Sequence, residues 1–219
     1  MDVYEAIFRR RDVRSFRPDP VPDSAIVKIL EAAHHAGSVG FMQPWNFIVI
    51  RSAAKKALMH QIFVQENEAA SQHFSGARGE LYRSIKLEGI LDAPINIAVT
   101  CDRERGGPHV LGRNSVYDTD VYSTCCAVQN LWLAARAEGL GVGWVSILDN
   151  EAVKMHLGIP ATVLLIAYLC VGYPVSFGEQ PLLQELGWAK RSNLGDMVFE
   201  EGWLGPSTLP LLAPKEPGG

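Results

Sequence analysis

The run from residue 120 to 138 constrains the fold of this chain more than any other. Val121, Cys125, Val128, Leu131, Trp132 and Ala135 recur there at intervals of three and four, the period of a helix. The middle of the run is apolar on nearly every side, so the helix must be buried, in a core or at the seam of a dimer. Gly139-Leu140-Gly141-Val142-Gly143 then leads directly into a strand over Val142 to Ile147.

The remaining elements follow from the same kind of reading. Residues 2–10 form a short helix ending in Arg9-Arg10-Arg11, and Pro18, Pro20 and Pro22 force an extended turn. Asp23 or Ser24 can cap the next helix, which carries Ile26, Ile29, Leu30 and Ala33 at helical spacing. Strands are predicted over Asn46 to Arg51, Ile95 to Thr100 and Leu164 to Val171, and helices over 53–72, 76–91 and near 150–157. This order predicts an α+β fold, a mixed central sheet flanked by helices. A strand apolar on both faces, such as Leu164-Leu165-Ile166-Ala167-Tyr168-Leu169, requires a sheet covered on both sides. Residues 102–118 show no periodicity, so they form a functional flap or a disordered excursion. From about 175 the chain becomes an irregular arm. The expected organisation is one domain over 1–204 and a disordered tail over 205–219.

Composition excludes several classes. A net charge of -4 gives no footprint for nucleic acid. No apolar run reaches the ~18 residues of a membrane span, and the start lacks a basic segment followed by an apolar one. The expected location is the cytoplasm. Cys101, Cys125, Cys126 and Cys170 contain no C-x-x-C pair and are expected as buried small hydrophobes. The histidines lack ligand spacing, so no metal is expected.

Three segments carry candidate chemistry. Arg10-Arg11-Asp12-Val13-Arg14 sets three guanidiniums at a helix end, where they can fork onto phosphate oxygens or simply form a solvated face. Asp12 is the odd member, because a carboxylate weakens an anion site unless chemistry needs it. Ser38-Val39-Gly40-Phe41-Met42-Gln43-Pro44-Trp45 offers close backbone approach at Gly37 and Gly40, donors at Gln43 and Trp45, and a flat indole face. It reads equally as a helix-terminal turn with a packed Trp. Gly139 to Ser146 looks like a dinucleotide fingerprint in the wrong order, since the glycines follow a helix and lead into a strand. A Rossmann nicotinamide site is rejected on that ground, although Ser146 at the strand end can reach a bound ring.

Together these segments resemble the nitroreductase superfamily, with its arginine-rich start for FMN phosphate, its Q-P-W segment against the flavin and its glycine-rich passage. Two departures, Asp12 for the commoner Ser and Phe41 for the commoner Asn, are features of the BluB-type 5,6-dimethylbenzimidazole synthase branch. That branch is also resembled by Lys-Leu-Glu-Gly-Ile (86–90), Cys-Asp-Arg (101–103), Val-Leu-Gly-Arg (110–113), residues 129–139 and Gly-Val-Gly-Trp-Val-Ser-Ile (141–147). The resemblance covers residues 4 to about 203.

It implies an intertwined homodimer with FMN sites built from both subunits. It also implies that reduced FMN is the substrate, cut with O2 to 5,6-dimethylbenzimidazole, the lower ligand of cobalamin, and D-erythrose 4-phosphate. Asp12 and Ser146 match the catalytic side chains. Arg10, Arg11 and Arg14 match contacts at the phosphate end, Gly40 lies where the backbone approaches the ring, and Asp12, Val13, Ser38, Gln43 and Ser146 match further cofactor contacts. Arg191 matches a basic residue of the C-terminal arm. On this reading Asp12 takes a proton near the ribityl chain and Ser146 relays protons at the ring edge. Phe41 and Met42 exclude water, and 102–118 or 74–90 closes as a lid. A separate NAD(P)H-dependent flavin reductase is a candidate partner. The alternatives are an NAD(P)H-dependent FMN nitroreductase or quinone reductase, and a protein that stores flavin without altering it.

Overall fold

Strand β2 (Ile95–Asp102) is buried along nearly its whole length because apolar layers cover both of its faces. Ile95, Ile97 and Val99 belong to one core and Ala98 to the other, the two-residue alternation of a strand sending them to opposite sides. β2 pairs antiparallel with β1 (Trp45–Ile50) on one side and with β4 (Val163–Gly172) on the other. β4 in turn pairs antiparallel with β3 (Gly141–Val145), giving the order β1-β2-β4-β3. A bulge opposite Val99 and Thr100 skips Ile166. It puts Leu165 on the same side as Tyr168 and Cys170, away from Ala167 and Leu169.

The α+β fold stands, and the parallel component of the sheet is small. Among the described strands every pairing is antiparallel, and one parallel bridge joins Asp12 to Val142 along the outer edge of β3. The computed structural model describes residues 1–210. By its contacts the chain divides into a unit over Met1–Glu179 and a second unit starting at Gln180.

Helices α2 (Asp23–His34) and α5 (Thr119–Ala137) cover one face of the sheet through Ile26, Ile29, Ala127, Val128, Leu131 and Ala135. Helices α3 (Ala53–Ser71) and α6 (Asn150–Leu157) cover the other through Met59, Ile62, Phe63 and Val153. Asp2 caps α1 (Val3–Arg9) by accepting from the Glu5 N–H at 2.8 Å. The expected side-chain cap of α2 is absent. Pro22 occupies the cap position, and Asp23 is the first helical residue and accepts from Arg51 at 2.6 Å.

Three further expectations change. Helix α4 spans Gly76–Ser84 and stops short of 91. The chain must extend there so that Gly89 can fit against segment 14–16, where a Cβ would lie 2.7 Å from the Phe16 ring and 2.9 Å from the Arg14 carbonyl oxygen. Cys101 and Cys170 are buried, but Cys125 and Cys126 are exposed. α5 buries the sides turned to the sheet, to α2 and to α1, leaving Tyr122, Cys125 and Cys126 uncovered in the single chain. Among its described residues the arm carries one helical turn, α7 (Leu182–Glu185), and one 3-10 turn at Leu194–Met197. Of the tail expected to be disordered, 211–219 lie outside the described residues. Among the described residues no helix is long and apolar enough to cross a membrane.

Candidate functional site

Two glycines of β3 create the first half of the site. A Cβ at Gly141 would lie 2.7 Å from Val13 Cγ2, and one at Gly143 only 2.1 Å from the Val13 carbonyl oxygen. Their absence lets the 12–14 backbone lie directly on β3, where the Val13 N–H donates to the Val142 carbonyl at 2.9 Å. The close approach served by these glycines is therefore that of the chain's own backbone.

Asp12 is fixed by this contact. Its Oδ1 accepts from the Trp144 N–H at 2.9 Å, and its Oδ2 accepts from Arg14 Nη2. The protein crowded around the carboxyl pushes its pKa up from the usual 3.8, against the opposing pull of Arg14, the Trp144 N–H and Arg10. The side chain remains 41% exposed, so solvent screens these charges and the group is open to a ligand.

The three arginines differ in their engagement. Arg11 donates through Nη1 to the Phe8 and Arg10 carbonyls at 2.8 and 2.7 Å and through Nη2 to the Glu179 carbonyl. It holds backbone in the single chain, a third role beside the phosphate fork and the solvated face expected for the cluster. Arg10 lies over the Trp132 ring, 4.9 Å from its centroid. Arg14 is 14% exposed, and its Nη1 is buried without a hydrogen-bond acceptor. A buried guanidinium nitrogen left unsatisfied is costly, so this atom calls for an acceptor that a bound molecule can supply. Ser146 is exposed and immediately follows β3. It stands two residues, about 7 Å of strand, beyond the Trp144 contact of Asp12.

The Ser38–Gln43 bend forms the second half. Ser38 Oγ accepts from the Gln43 N–H at 3.0 Å, and the Val39 N–H donates to Ser123 Oγ at 3.0 Å, which ties the bend to the start of α5. Gly40, Phe41 and Gln43 all have left-handed backbone, with φ of 52, 54 and 49°. Met42 is buried, whereas Phe41 is 82% exposed and shields nothing within its own chain. Trp45 offers neither an exposed face nor a free donor. It is buried in the first core, and its Nε1 donates to His34 Nδ1 at 3.1 Å.

A single chain keeps the two halves apart. Segment 9–14 is anchored to the far part of α5, where Trp132 Nε1 donates to the Arg11 carbonyl and Arg136 Nε to the Arg9 carbonyl, both at 3.2 Å. The bend is anchored at Ser123, and the nine residues from there to Trp132 span roughly 14 Å of helix. Arg191 belongs to the second unit. It is exposed, its N–H donates to Gln184 Oε1 at 3.4 Å, and it lines a groove with Leu183, Gln184, Lys190 and Leu194.

Residues 7–173 match the model of the nitroreductase family. The chain belongs to that family. A relative from Rhodospirillum rubrum named 5,6-dimethylbenzimidazole synthase is 41% identical over 191 residues, covering 87% of this chain and 90% of the relative. A BluB-like flavoprotein from Clostridium difficile 630 superposes with a TM-score of 0.67 at 20% identity, over 90% of this chain and 98% of that one. The structure of oxidised iodotyrosine deiodinase bound to FMN and 3-iodo-L-tyrosine has a TM-score of 0.68 at 22% identity, over 81% and 92% of the two chains. These two likenesses support the nitroreductase fold.

Within this family fold, sequence reading missed the residues that shape the bend. The 102–118 segment is tied down at Arg103, Arg105 and Arg113. Asp120, fully buried, pairs with Arg103 at 3.0 Å and with Arg113 at 3.4 Å. Arg105 reaches back to the carbonyls of Gln43 and Trp45. The available signal was a carboxylate on the first turn of an apolar helix together with three arginines in the loop before it.

Proposed function

We propose that two copies of this chain join to build FMN sites from both subunits, and that the enzyme uses O2 to cut reduced FMN into 5,6-dimethylbenzimidazole and D-erythrose 4-phosphate. The observation that carries this reading is Asp12, an open carboxylate pinned between the Trp144 N–H and Arg14 and beside a guanidinium nitrogen that lacks an acceptor. The 41% identical relative named for this synthase supports it.

The residues present fit the flavin. Arg14 Nη1 supplies a buried donor, while Arg10, with Arg11 stiffening the backbone around it, supplies positive charge for the phosphate end. Val13 holds that segment on β3. Ser38, Gly40 and Gln43 of the partner copy approach the ring, with Phe41 excluding water once the copies meet, and Arg191 adds charge from the arm. Reduced flavin supplies the electrons taken up by O2. Asp12 takes a proton at the ribityl chain and Ser146 moves one at the ring edge. The reduced flavin comes from a separate NAD(P)H-dependent reductase in the cytoplasm.

Incubating the purified protein with chemically reduced FMN in air tests this directly. The expected result is 5,6-dimethylbenzimidazole by mass together with loss of the flavin colour. Intact yellow flavin after repeated turnover with NAD(P)H and a nitro or quinone acceptor would instead establish an ordinary nitroreductase.

Two predictions arise here. Arg14→Ala should weaken FMN affinity by about 1.5–3 kcal/mol, the range for a charge-assisted hydrogen bond, as read by fluorescence titration. Unchanged affinity would leave Arg14 as a partner of Asp12 alone. FMN binding should also require the dimer, because each chain holds the two halves of the site at separate ends of α5. A species that sediments as a monomer and binds FMN at full affinity would rule out the shared site.

A further inference from the structure

The bend at Gly40–Gln43 is held in a conformation that its own residues do not favour. Phe41 and Gln43 carry side chains, and a left-handed backbone costs such residues about 1–2 kcal/mol each. Strain of this kind persists only where the surroundings over-determine it.

Besides the Ser38 and Ser123 hydroxyls, the surroundings include one side chain that grips the end of the bend. Arg105 Nη1 donates to the Gln43 carbonyl at 2.7 Å and to the Trp45 carbonyl at 2.9 Å, and Nη2 donates to Asn46 Oδ1. A rigid planar fork can meet these three acceptors together; a flexible ammonium cannot present donors in that plane. The base of Arg105 is itself placed, since the Asp102 N–H donates to the Pro44 carbonyl at 2.7 Å and ties the end of β2 to the bend. From the other side the same segment closes on Gly40, where a Cβ would lie 2.7 Å from the Leu111 carbonyl oxygen and 2.7 Å from Val110 Cγ1. Arg113 and Arg103, paired with buried Asp120, anchor that side.

We propose that Arg105 is a positioning residue that clamps the Gly40–Gln43 bend in its left-handed form and thereby sets where the bend meets the flavin ring of the partner subunit. This inference rests on the shared site proposed above. It assigns the 102–118 segment a holding role.

Arg105→Lys in the full-length enzyme is the test. Lysine keeps the charge facing Asp102, whose carboxylate lies 3.9 Å from Arg105 Nε, but loses the fork. A misplacement of ~1 Å at a reacting group can lower turnover by ~10²-fold. Arg105→Lys should therefore lower kcat at least tenfold with KM for reduced FMN within about threefold of the parent. It should also change the visible circular dichroism of bound oxidised FMN and speed hydrogen exchange in peptides spanning 38–46. Asp102→Asn, which removes the ion pair and leaves the fork, should match the parent in all of these. Should Arg105→Lys fail to fold, Asn46→Ala removes one acceptor of the same grip and should move the readings in the same direction.

Parent-like kcat, dichroism and exchange in a folded Arg105→Lys or Asn46→Ala protein overturns the proposal. So does an equal loss in Asp102→Asn, which would reduce the fork to a surface charge. If the parent leaves reduced FMN intact, the proposed reaction fails while dichroism and exchange still judge the clamp; if it binds no FMN, exchange alone judges it.

Discussion

Asp12→Asn is expected to keep FMN bound and to lose product by at least ~10²-fold, the usual contribution of a general acid–base group. The amide nearly preserves shape and can still accept from either the Trp144 N–H or Arg14, but it cannot take a proton near neutral pH. Removing the negative charge also releases Arg14 toward an anionic ligand, so affinity should hold or tighten. Asp12→Ser, which installs the residue commoner in the wider family, should behave alike. Binding and turnover moving in opposite directions is not the signature of a folding defect. Acidity gives an independent check. Crowding raises the Asp12 pKa above 3.8, and a base works only when ionised, so product formation should fall as pH drops through that raised value. This acid limb should be missing from the residual rate of Asp12→Asn. The stability linkage has the opposite sign: a carboxyl whose folded pKa is raised favours the fold when protonated, and that contribution is lost as pH rises through the folded value. Loss of activity in acid therefore cannot be assigned to unfolding driven by Asp12. Near-parent production of 5,6-dimethylbenzimidazole by either variant would end the catalytic role of Asp12.

What could be read from the sequence, and what could not, follows the range of the interactions involved. The existence of α5 and the two-sided burial of β4 were legible because periodicity and apolar content are local properties. The exposure of Cys125 and Cys126 was not, since a helix apolar all round does not declare which side its own chain leaves uncovered. Asp12 stood out as a carboxylate among arginines, yet nothing nearby in sequence marks the Trp144 N–H that holds it. Arg11 looked equivalent to Arg10 and Arg14 until its carbonyl partners at 8, 10 and 179 were seen, one of them far along the chain. The grip of Arg105 on Gln43 and Trp45 lies in a stretch with no period to read. One signal was present in the glycine-rich passage and was not read as a contact within the chain. Gly141 and Gly143 are two apart in a strand, hence on one face, and such a pair marks the close approach of another backbone.

That pair leads to the second large effect, in Gly143→Ala. The added methyl would fall 2.1 Å from the Val13 carbonyl oxygen, a distance that backbone cannot accept without moving. Either β3 or segment 12–14 must give way, and both are constrained: β3 by its ladder to β4, and the segment by the Val13–Val142 bond and by Trp132 and Arg136. Overpacking of this kind destabilises by about 1–3 kcal/mol, and a rigid backbone neighbour puts Gly143→Ala at the upper end of that range. The functional loss should be larger than the stability loss implies. The displaced segment carries Asp12 and Arg14, so the same shift that relieves the clash pulls the carboxylate off the Trp144 N–H. A displacement of ~1 Å there can lower turnover by ~10²-fold in protein that remains folded. Gly202→Ala, where a Cβ meets nothing within 4 Å, is the control and should stay within about 0.5 kcal/mol of the parent. Urea midpoints for both variants, with product yield from reduced FMN, decide the matter. A Gly143→Ala protein with the parent's midpoint and yield would mean that β3 has slack at this position, and the glycine-made contact would then no longer explain how Asp12 is placed.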